Sequence, residues 1–153
     1  MMLSRKEAIQ KIFKKYGANA LYVTNTGYIS RAVYNEFPSF PNILYMQGSM
    51  GIAPAIGLGI ALNTDKPVVV ISGDGALLMH LGITHTIRDC NLSNLFIYVL
   101  DNGCHESVGE YKCSSLEQSY PGIHEIIKIT NDGKTDRVGV DCKTNKELFK
   151  SCL

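Results

Sequence analysis

The chain has 153 residues, 45% of them hydrophobic and 19% charged, and we expect one globular domain over residues 1–153. The formal net charge of +1 argues against a nucleic-acid or membrane surface as partner, because such surfaces attract concentrated positive charge. No apolar run approaches the roughly 20 residues that span a bilayer, and five cysteines without a Cys-x-x-Cys pair favour reduced thiols in a cytoplasmic protein.

The first half of the chain alternates helical and extended patterns. Ser4 is followed three residues later by Glu7, which predicts a capping box at the start of a first helix. The apolar residues of that helix fall on one face. Further predictions are a strand over residues 20–23, a helix over residues 30–37, a strand over residues 43–46 and a helix over residues 52–62.

The second half begins with the clearest strand of the chain, over residues 67–71. It is apolar throughout and rich in β-branched residues, as a strand covered on both faces must be. Further predictions are a helix over residues 76–89, a strand over residues 95–100, a polar stretch over residues 101–120, a helix over residues 124–129, a strand over residues 137–140 and a helix over residues 146–152. Strands that alternate with helices predict an α/β fold, with a parallel sheet flanked by helices on both faces.

The strand over residues 67–71 leads into the tripeptide Gly73-Asp74-Gly75. Glycines on both sides of an acid let the backbone approach a ligand closely, and the start of the following helix offers free N–H groups to a phosphate. A carboxylate beside a phosphate requires a cation between them, so Asp74 is interpreted as a Mg²⁺ ligand. The alternative is that Asp74 only caps the helix.

A second polar residue follows the next predicted strand. Asn102 lies 28 residues after Asp74, and because both follow parallel strands they are expected at the same edge of the sheet. An amide oxygen beside a carboxylate suits a hard cation, although Asn-Gly is also a common turn. The third glycine of the dinucleotide fingerprint is missing after Gly75, which argues against a nicotinamide cofactor.

These motifs resemble those of the thiamine-diphosphate-dependent 2-oxoacid decarboxylases, and phosphonopyruvate decarboxylases in particular. The resemblance covers about residues 4–109. It rests on the opening loop 26–31, on Gly48-Ser49-Met50-Gly51, on residues 73–79 and on residues 101–109. It implies the thiamine-diphosphate-binding fold, and specifically the half that binds the diphosphate.

The resemblance also implies roles for individual residues. Asp74, the Asn102 side chain and the backbone carbonyl of Cys104 are expected to hold Mg²⁺. Met50 is expected to lie beneath the cofactor and keep it bent. The other residues expected to contact thiamine diphosphate are Thr26, Gly27, Gly48, Gly73, Gly75 and Ala76.

His105 and Glu106 follow the metal loop and are expected to be catalytic residues at the thiazolium end of the cofactor. His105 is suited to relaying a proton or binding an anionic substrate tail. The alternative is a loop histidine with a structural hydrogen bond. Arg31, Lys112 and Ser107 are further candidates for the tail, although a solvated surface position is the expectation for both basic residues.

In this family a glutamate on a separate pyrimidine-binding domain also contacts the cofactor. We therefore expect a partner subunit that carries this glutamate, in a hetero-oligomer of paired chains. The expected reaction is decarboxylation of a small anionic 2-oxoacid, with phosphonopyruvate favoured by the stretch from His105 to Gly109. The alternatives are the β subunit of a sulfopyruvate decarboxylase and a cofactor-binding subunit without turnover.

Overall fold

The computed structural model describes residues 2–153. No helix in this range is both long enough and apolar enough to cross a bilayer. In chain order the elements are β1 (Leu3–Ser4), α1 (Arg5–Tyr16), β2 (Leu21–Thr24), α2 (Tyr28–Glu36), β3 (Ile43–Tyr45), α3 (Ala53–Ala61), β4 (Val68–Gly73), α4 (Asp74–Met79), α5 (Ile83–Cys90), β5 (Leu95–Asp101), β6 (Cys104–His105), β7 (Tyr111–Lys112), β8 (Glu125–Thr130) and α6 (Cys142–Lys150).

Six of these strands form one sheet in the order β1-β8-β5-β4-β2-β3, and all of its neighbours are parallel. The predicted parallel α/β fold is confirmed. The capping box of α1 is also confirmed, since the Glu7 N–H donates to Ser4 Oγ (3.1 Å) and the Ser4 N–H donates to Glu7 Oε2 (2.7 Å). The remaining two strands, β6 and β7, form a small antiparallel hairpin.

Helices cover the sheet on both faces, as predicted. Val69 and Tyr98 belong to the core beneath α1 and α2. Val70 and Ile97 belong to the core beneath α3 and α5. Because side chains alternate between the faces of a strand, neighbouring residues of β4 enter opposite cores, and this is why residues 68–71 of β4 are all apolar.

Two of the predicted elements in the last third of the chain are wrong. Residues 124–129 were expected to form a helix, but the segment is the strand β8, paired with β5 and β1. Ile127 and Ile129 point into the core while Lys128 is exposed, which is the period-2 pattern of a strand. The strand expected at 137–140 is absent, because Val138 and Val140 pack on the hydrophobic core instead of joining the sheet.

The helix predicted over residues 76–89 is two helices. The first, α4, begins at Asp74, directly after β4, and ends at a non-helical His80. The chain turns before α5 begins at Ile83. The interruption keeps α4 short and leaves its first turn at the carboxyl edge of the sheet, where β4 delivers it.

Helix α3 lies unusually close to the sheet. A Cβ atom added to Gly57 would lie 2.2 Å from Val70 Cγ2 on β4, which is well inside van der Waals contact. Gly59 lies on the exposed side of the same helix and has no atom within 4 Å of an added Cβ. The two glycines are therefore a matched pair for testing this packing.

Gly57→Ala should lower the free energy of unfolding by about 1–3 kcal/mol, because the added methyl must displace Val70. Gly59→Ala should raise it by about 0.5–1 kcal/mol, since alanine loses less conformational freedom than glycine in a helix. Urea denaturation of both variants measures the two changes. Shifts of the same sign and size would contradict the close approach of α3 to β4.

Candidate functional site

A cleft with an empty volume of ≈ 480 Å³ lies at the carboxyl edge of the sheet. The register explains its position: Gly73 at the end of β4 pairs with Leu100 of β5, so the residues after both strands meet at one edge. Most of the sequence-predicted site residues line this cleft, namely Thr26, Met50, Gly73, Asp74, Gly75, Ala76, Asn102, Cys104, His105 and Glu106.

Asp74 is the buried carboxylate of the cleft, with only 3% of its surface exposed. The backbone N–H of Gly103 donates to Asp74 Oδ2 at 2.9 Å. Burial raises the pKa of the Asp74 carboxyl above its usual value, and the neighbouring charge of Asp101 raises this pKa further. A buried anion without a counter-charge is unfavourable, so Asp74 is poised to bind a cation.

The carboxamide of Asn102 has one inner and one outer terminal atom. The outer atom lies 2.7 Å from Asn131 Oδ1 and 3.3 Å from Glu106 Oε2. The inner atom lies 3.2 Å from Asp74 Oδ1 and 2.9 Å from the carbonyl oxygen of Cys104. Since the Glu106 carboxylate only accepts hydrogen bonds, the outer atom is the NH₂ group and the inner atom is the oxygen.

Three oxygens therefore face one another across the cleft, from Asp74, Asn102 and Cys104, with no hydrogen between them. Such an arrangement of acceptors calls for a cation. Octahedral ligands at the distances typical of Mg²⁺ lie roughly 2.9 Å from each other, which is close to the measured 2.9 and 3.2 Å. The three predicted metal ligands therefore fit a divalent cation.

The loop after β5 brings Cys104 back toward Asp74. Gly103 has φ +74, a left-handed conformation that glycine adopts without strain. The turn directs the Cys104 carbonyl into the cleft, and the chain then enters the β6–β7 hairpin. Within residues 2–153 no group of three His, Cys, Asp or Glu side chains is arranged to hold a metal, so amide and carbonyl oxygens are essential to any metal site here.

His105 lies against the backbone of Gly75. A Cβ atom added to Gly75 would lie 2.3 Å from His105 Cε1 and 2.9 Å from Cys113 Sγ. Glycine at this position is therefore what allows the imidazole to sit beside the first turn of α4. Burial raises the pKa of the Cys113 thiol to about 11, with a further contribution from the Asp74 charge, so this cysteine stays protonated at neutral pH.

Glu106 forms an ion pair with a residue that no sequence pattern had indicated. Arg5, the first residue of α1, is 3% exposed and lies 3.2 Å from Glu106 Oε2 through Nη1. The Gly133 N–H donates to Glu106 Oε1 at 3.1 Å. Nothing local marks Arg5 in the sequence, because a basic residue on the first turn of a helix is normally solvated. The catalytic role expected for Glu106 stays a prediction.

The loops after β2 and β3 complete the cleft. Thr26 and Met50 line it, and Asn25, a second residue that the sequence did not single out, ties the two loops together by accepting the Gly51 N–H at 3.1 Å through Oδ1. Gly27 and Gly48 lie outside the cleft lining; Gly27 borders an adjacent pocket that also contains Thr26.

The other residues that were expected to bind the anionic tail of a substrate lie in different parts of the structure. Ser107 lines the cleft. Arg31 faces the adjacent pocket, where its guanidinium carbon lies 5.2 Å from the centroid of the Tyr28 ring. Lys112 is exposed on β7. Neither basic residue lines the cleft. Lys112 has the exposed position expected for it, whereas Arg31 is half-buried.

The fold and the cleft define an open parallel α/β protein with a ligand site at the carboxyl ends of its strands. The chain belongs to the thiamine pyrophosphate enzymes: the family model described as "Thiamine pyrophosphate enzyme, C-terminal TPP binding domain" matches residues 26–132. Thiamine diphosphate, the same compound, is therefore the cofactor of this domain.

Curated relatives refine the comparison. The chain is 40% identical over 128 residues to the sulfopyruvate decarboxylase subunit beta of Methanocaldococcus jannaschii, covering 84% of this chain and 66% of that one. It is 44% identical over 109 residues to the subunit of the same name from Methanothermobacter thermautotrophicus, covering 71% and 58%. It is 38% identical over 120 residues to the phosphonopyruvate decarboxylase of Streptomyces viridochromogenes, covering 78% and 30%.

The chain thus spans about two thirds or less of the length of these relatives. Among solved structures, a Mycobacterium smegmatis protein provisionally described as a thiamin diphosphate-dependent enzyme superposes with a TM-score of 0.64. The match has 14% identity and covers 84% of this chain and 32% of that one. At this identity the likeness supports the fold alone.

Arg5→Met should lower the free energy of unfolding by about 3–5 kcal/mol, because Glu106 stays buried without its partner. Lys11→Met is the matched control on the same helix. It removes an exposed pair with Glu125, and the loss should be under about 1 kcal/mol. Urea denaturation compares the two, and equally small losses would contradict a buried Arg5–Glu106 pair.

Proposed function

We propose that this chain is the diphosphate- and Mg²⁺-binding subunit of a thiamine-diphosphate-dependent 2-oxoacid decarboxylase. The observation that carries the proposal is the convergence of three oxygens, from Asp74, Asn102 and Cys104, at 2.9 and 3.2 Å in the cofactor cleft. A divalent cation bound there relieves the buried charge of Asp74 and keeps coordination positions free for phosphate oxygens.

The diphosphate is proposed to bind next to this cation, at the start of α4. Gly75 and Ala76 lie in the first turn of that helix, whose N–H groups have no partner within the helix. Gly73 and Gly75 keep the approach to this turn free of side chains. Thr26 lines the opposite side of the cleft, and Gly27, beside it, is proposed to support that wall.

The remaining residues are proposed to orient the thiamine part. Met50, held by the loop that Asn25 fastens, is proposed to keep the two rings of the cofactor bent, and the Gly48 carbonyl to accept from its pyrimidine. When bound, thiamine diphosphate supplies the electron sink for loss of carbon dioxide from a 2-oxoacid. His105, which lies beside Gly75, is proposed to hold a proton or an anionic group near the reacting carbon.

The partner is proposed to be a pyrimidine-binding subunit that supplies the activating glutamate, in a hetero-oligomer. Two relatives support this through their name, subunit beta. A chain that binds the cofactor without turnover is the alternative. Retention of the metal positions Asp74 and Asn102 together with Met50 in one cleft argues against it.

The proposed substrate is a 2-oxoacid with a second anionic group. Sulfopyruvate is favoured by identities of 44% and 40% to the sulfopyruvate decarboxylase subunits. Phosphonopyruvate, favoured by the stretch from His105 to Gly109, is the second candidate, supported by 38% identity to a phosphonopyruvate decarboxylase. The two acids share the oxoacid and the tetrahedral anionic tail, so the same cleft accommodates the chemistry of both.

Asp74→Asn should abolish Mg²⁺-dependent binding of thiamine diphosphate, measured by isothermal titration calorimetry, because it removes the carboxylate charge. The variant should keep the stability of the wild type. Burial raises the pKa of the Asp74 carboxyl, so this group binds its proton more tightly in the folded chain, and its contribution to the free energy of unfolding is lost as pH rises. Asp89→Asn, at an exposed site on α5, is the control. Wild-type affinity in Asp74→Asn would refute the metal assignment.

The chain reconstituted with its pyrimidine-binding partner should release carbon dioxide from sulfopyruvate, and His105→Ala should reduce this rate by roughly 100-fold or more, the usual range for a general acid–base group. Release measured from sulfopyruvate and phosphonopyruvate in parallel ranks the two substrates. Cofactor binding without release from either acid would favour the alternative of a subunit without turnover.

A further inference from the structure

The outer side of the Asn102 carboxamide is gripped by two acceptors from elsewhere in the chain. Asn131 Oδ1 lies 2.7 Å and Glu106 Oε2 lies 3.3 Å from its NH₂ group. We propose that Asn131 and Glu106 are positioning residues, which fix the Asn102 amide with its oxygen toward the cation site. The inference rests on the metal site of the proposed function.

The need for such positioning follows from the symmetry of a carboxamide. Its oxygen and nitrogen have nearly the same shape, and near Asp74 the unassisted choice is the NH₂ group, which would donate to Asp74 Oδ1 and the Cys104 carbonyl. That orientation presents a donor where a cation needs a ligand. The outer acceptors reverse the preference, because turning the amide would set its oxygen against the Glu106 carboxylate.

Glu106 is itself held in place. Arg5 and the Gly133 N–H bind its two carboxylate oxygens, and the side chain is 5% exposed. The oxygen that faces Asn102 therefore stays in position. A carboxylate fixed in this way is better suited to orienting Asn102 than to touching substrate, and we propose this role in place of the catalytic role expected from the sequence.

The pairing of β8 with β5 brings Asn131 next to Asn102. It follows directly after β8, which runs parallel to β5 with Asp101 beside Lys128. The carboxyl ends of three neighbouring strands thus build one unit, with Asp74 after β4, Asn102 after β5 and Asn131 after β8. The Cys104 N–H, 3.3 Å from the inner Asn102 oxygen, adds a donor that also favours this orientation.

Asn131→Ala tests the proposal with the full chain. Binding of Mn²⁺ in the presence of thiamine diphosphate, followed by electron paramagnetic resonance, should weaken about 10-fold, the lower end of the effect of removing an outer partner of a metal ligand. The residue is exposed, so thermal stability should not change. Asn63→Ala, an exposed asparagine far from the cleft, should bind Mn²⁺ like the wild type.

Asn131→Asp keeps an acceptor oxygen but has no donor, so it should retain wild-type affinity, measured in about 0.5 M salt to screen its added charge. Unchanged Mn²⁺ affinity in Asn131→Ala, with the wild type binding normally, would overturn the positioning role and leave the proposed function standing. Equal losses in the Ala and Asp variants would overturn it too. Absence of metal-dependent binding in the wild type would remove both proposals.

Discussion

The structure of the cleft depends on one constraint, which is that a buried carboxylate lies beside two other oxygens. Asp74 is 3% exposed and lies next to the Asn102 amide and the Cys104 carbonyl. The Gly103 N–H donates to the Asp74 carboxylate, but among residues 2–153 no basic side chain forms an ion pair with it. The mutual repulsion of these oxygens is unfavourable without a cation between them. A divalent cation would convert that repulsion into coordination, and this difference is the physical basis of the proposed Mg²⁺ site.

The three oxygens stay close together only if rigid structure fixes their positions, and the residues that do so come from distant parts of the chain. The sheet register brings the ends of β4, β5 and β8 together. Arg5, at the start of α1, then holds the loop after β5 in position by forming an ion pair with Glu106. Because each contact joins elements far apart in sequence, the geometry of the loop depends on the complete fold and not on local preference.

Sequence patterns predicted most of the scaffold where local and tertiary forces agree. The capping box at Ser4 and the apolar strand β4 are examples, since cap chemistry and two-sided burial leave a direct pattern. The prediction was wrong for β8, because six residues with several isoleucines satisfy a short helical face as readily as a strand. Only pairing with β1 and β5 decided between them.

The same division applies to the site. The sequence by itself determined that Asp74 and Asn102, the proposed metal ligands, lie at one edge of the sheet, because the carboxyl ends of successive parallel strands must share an edge. Only the tertiary structure decided that Arg5 binds Glu106 and that Asn131 faces Asn102. The first contact links residues 101 positions apart and follows no periodicity or short motif. The second depends on β8, whose residues were predicted as a helix, so only the sheet pairing brings Asn131 to the edge where Asn102 lies.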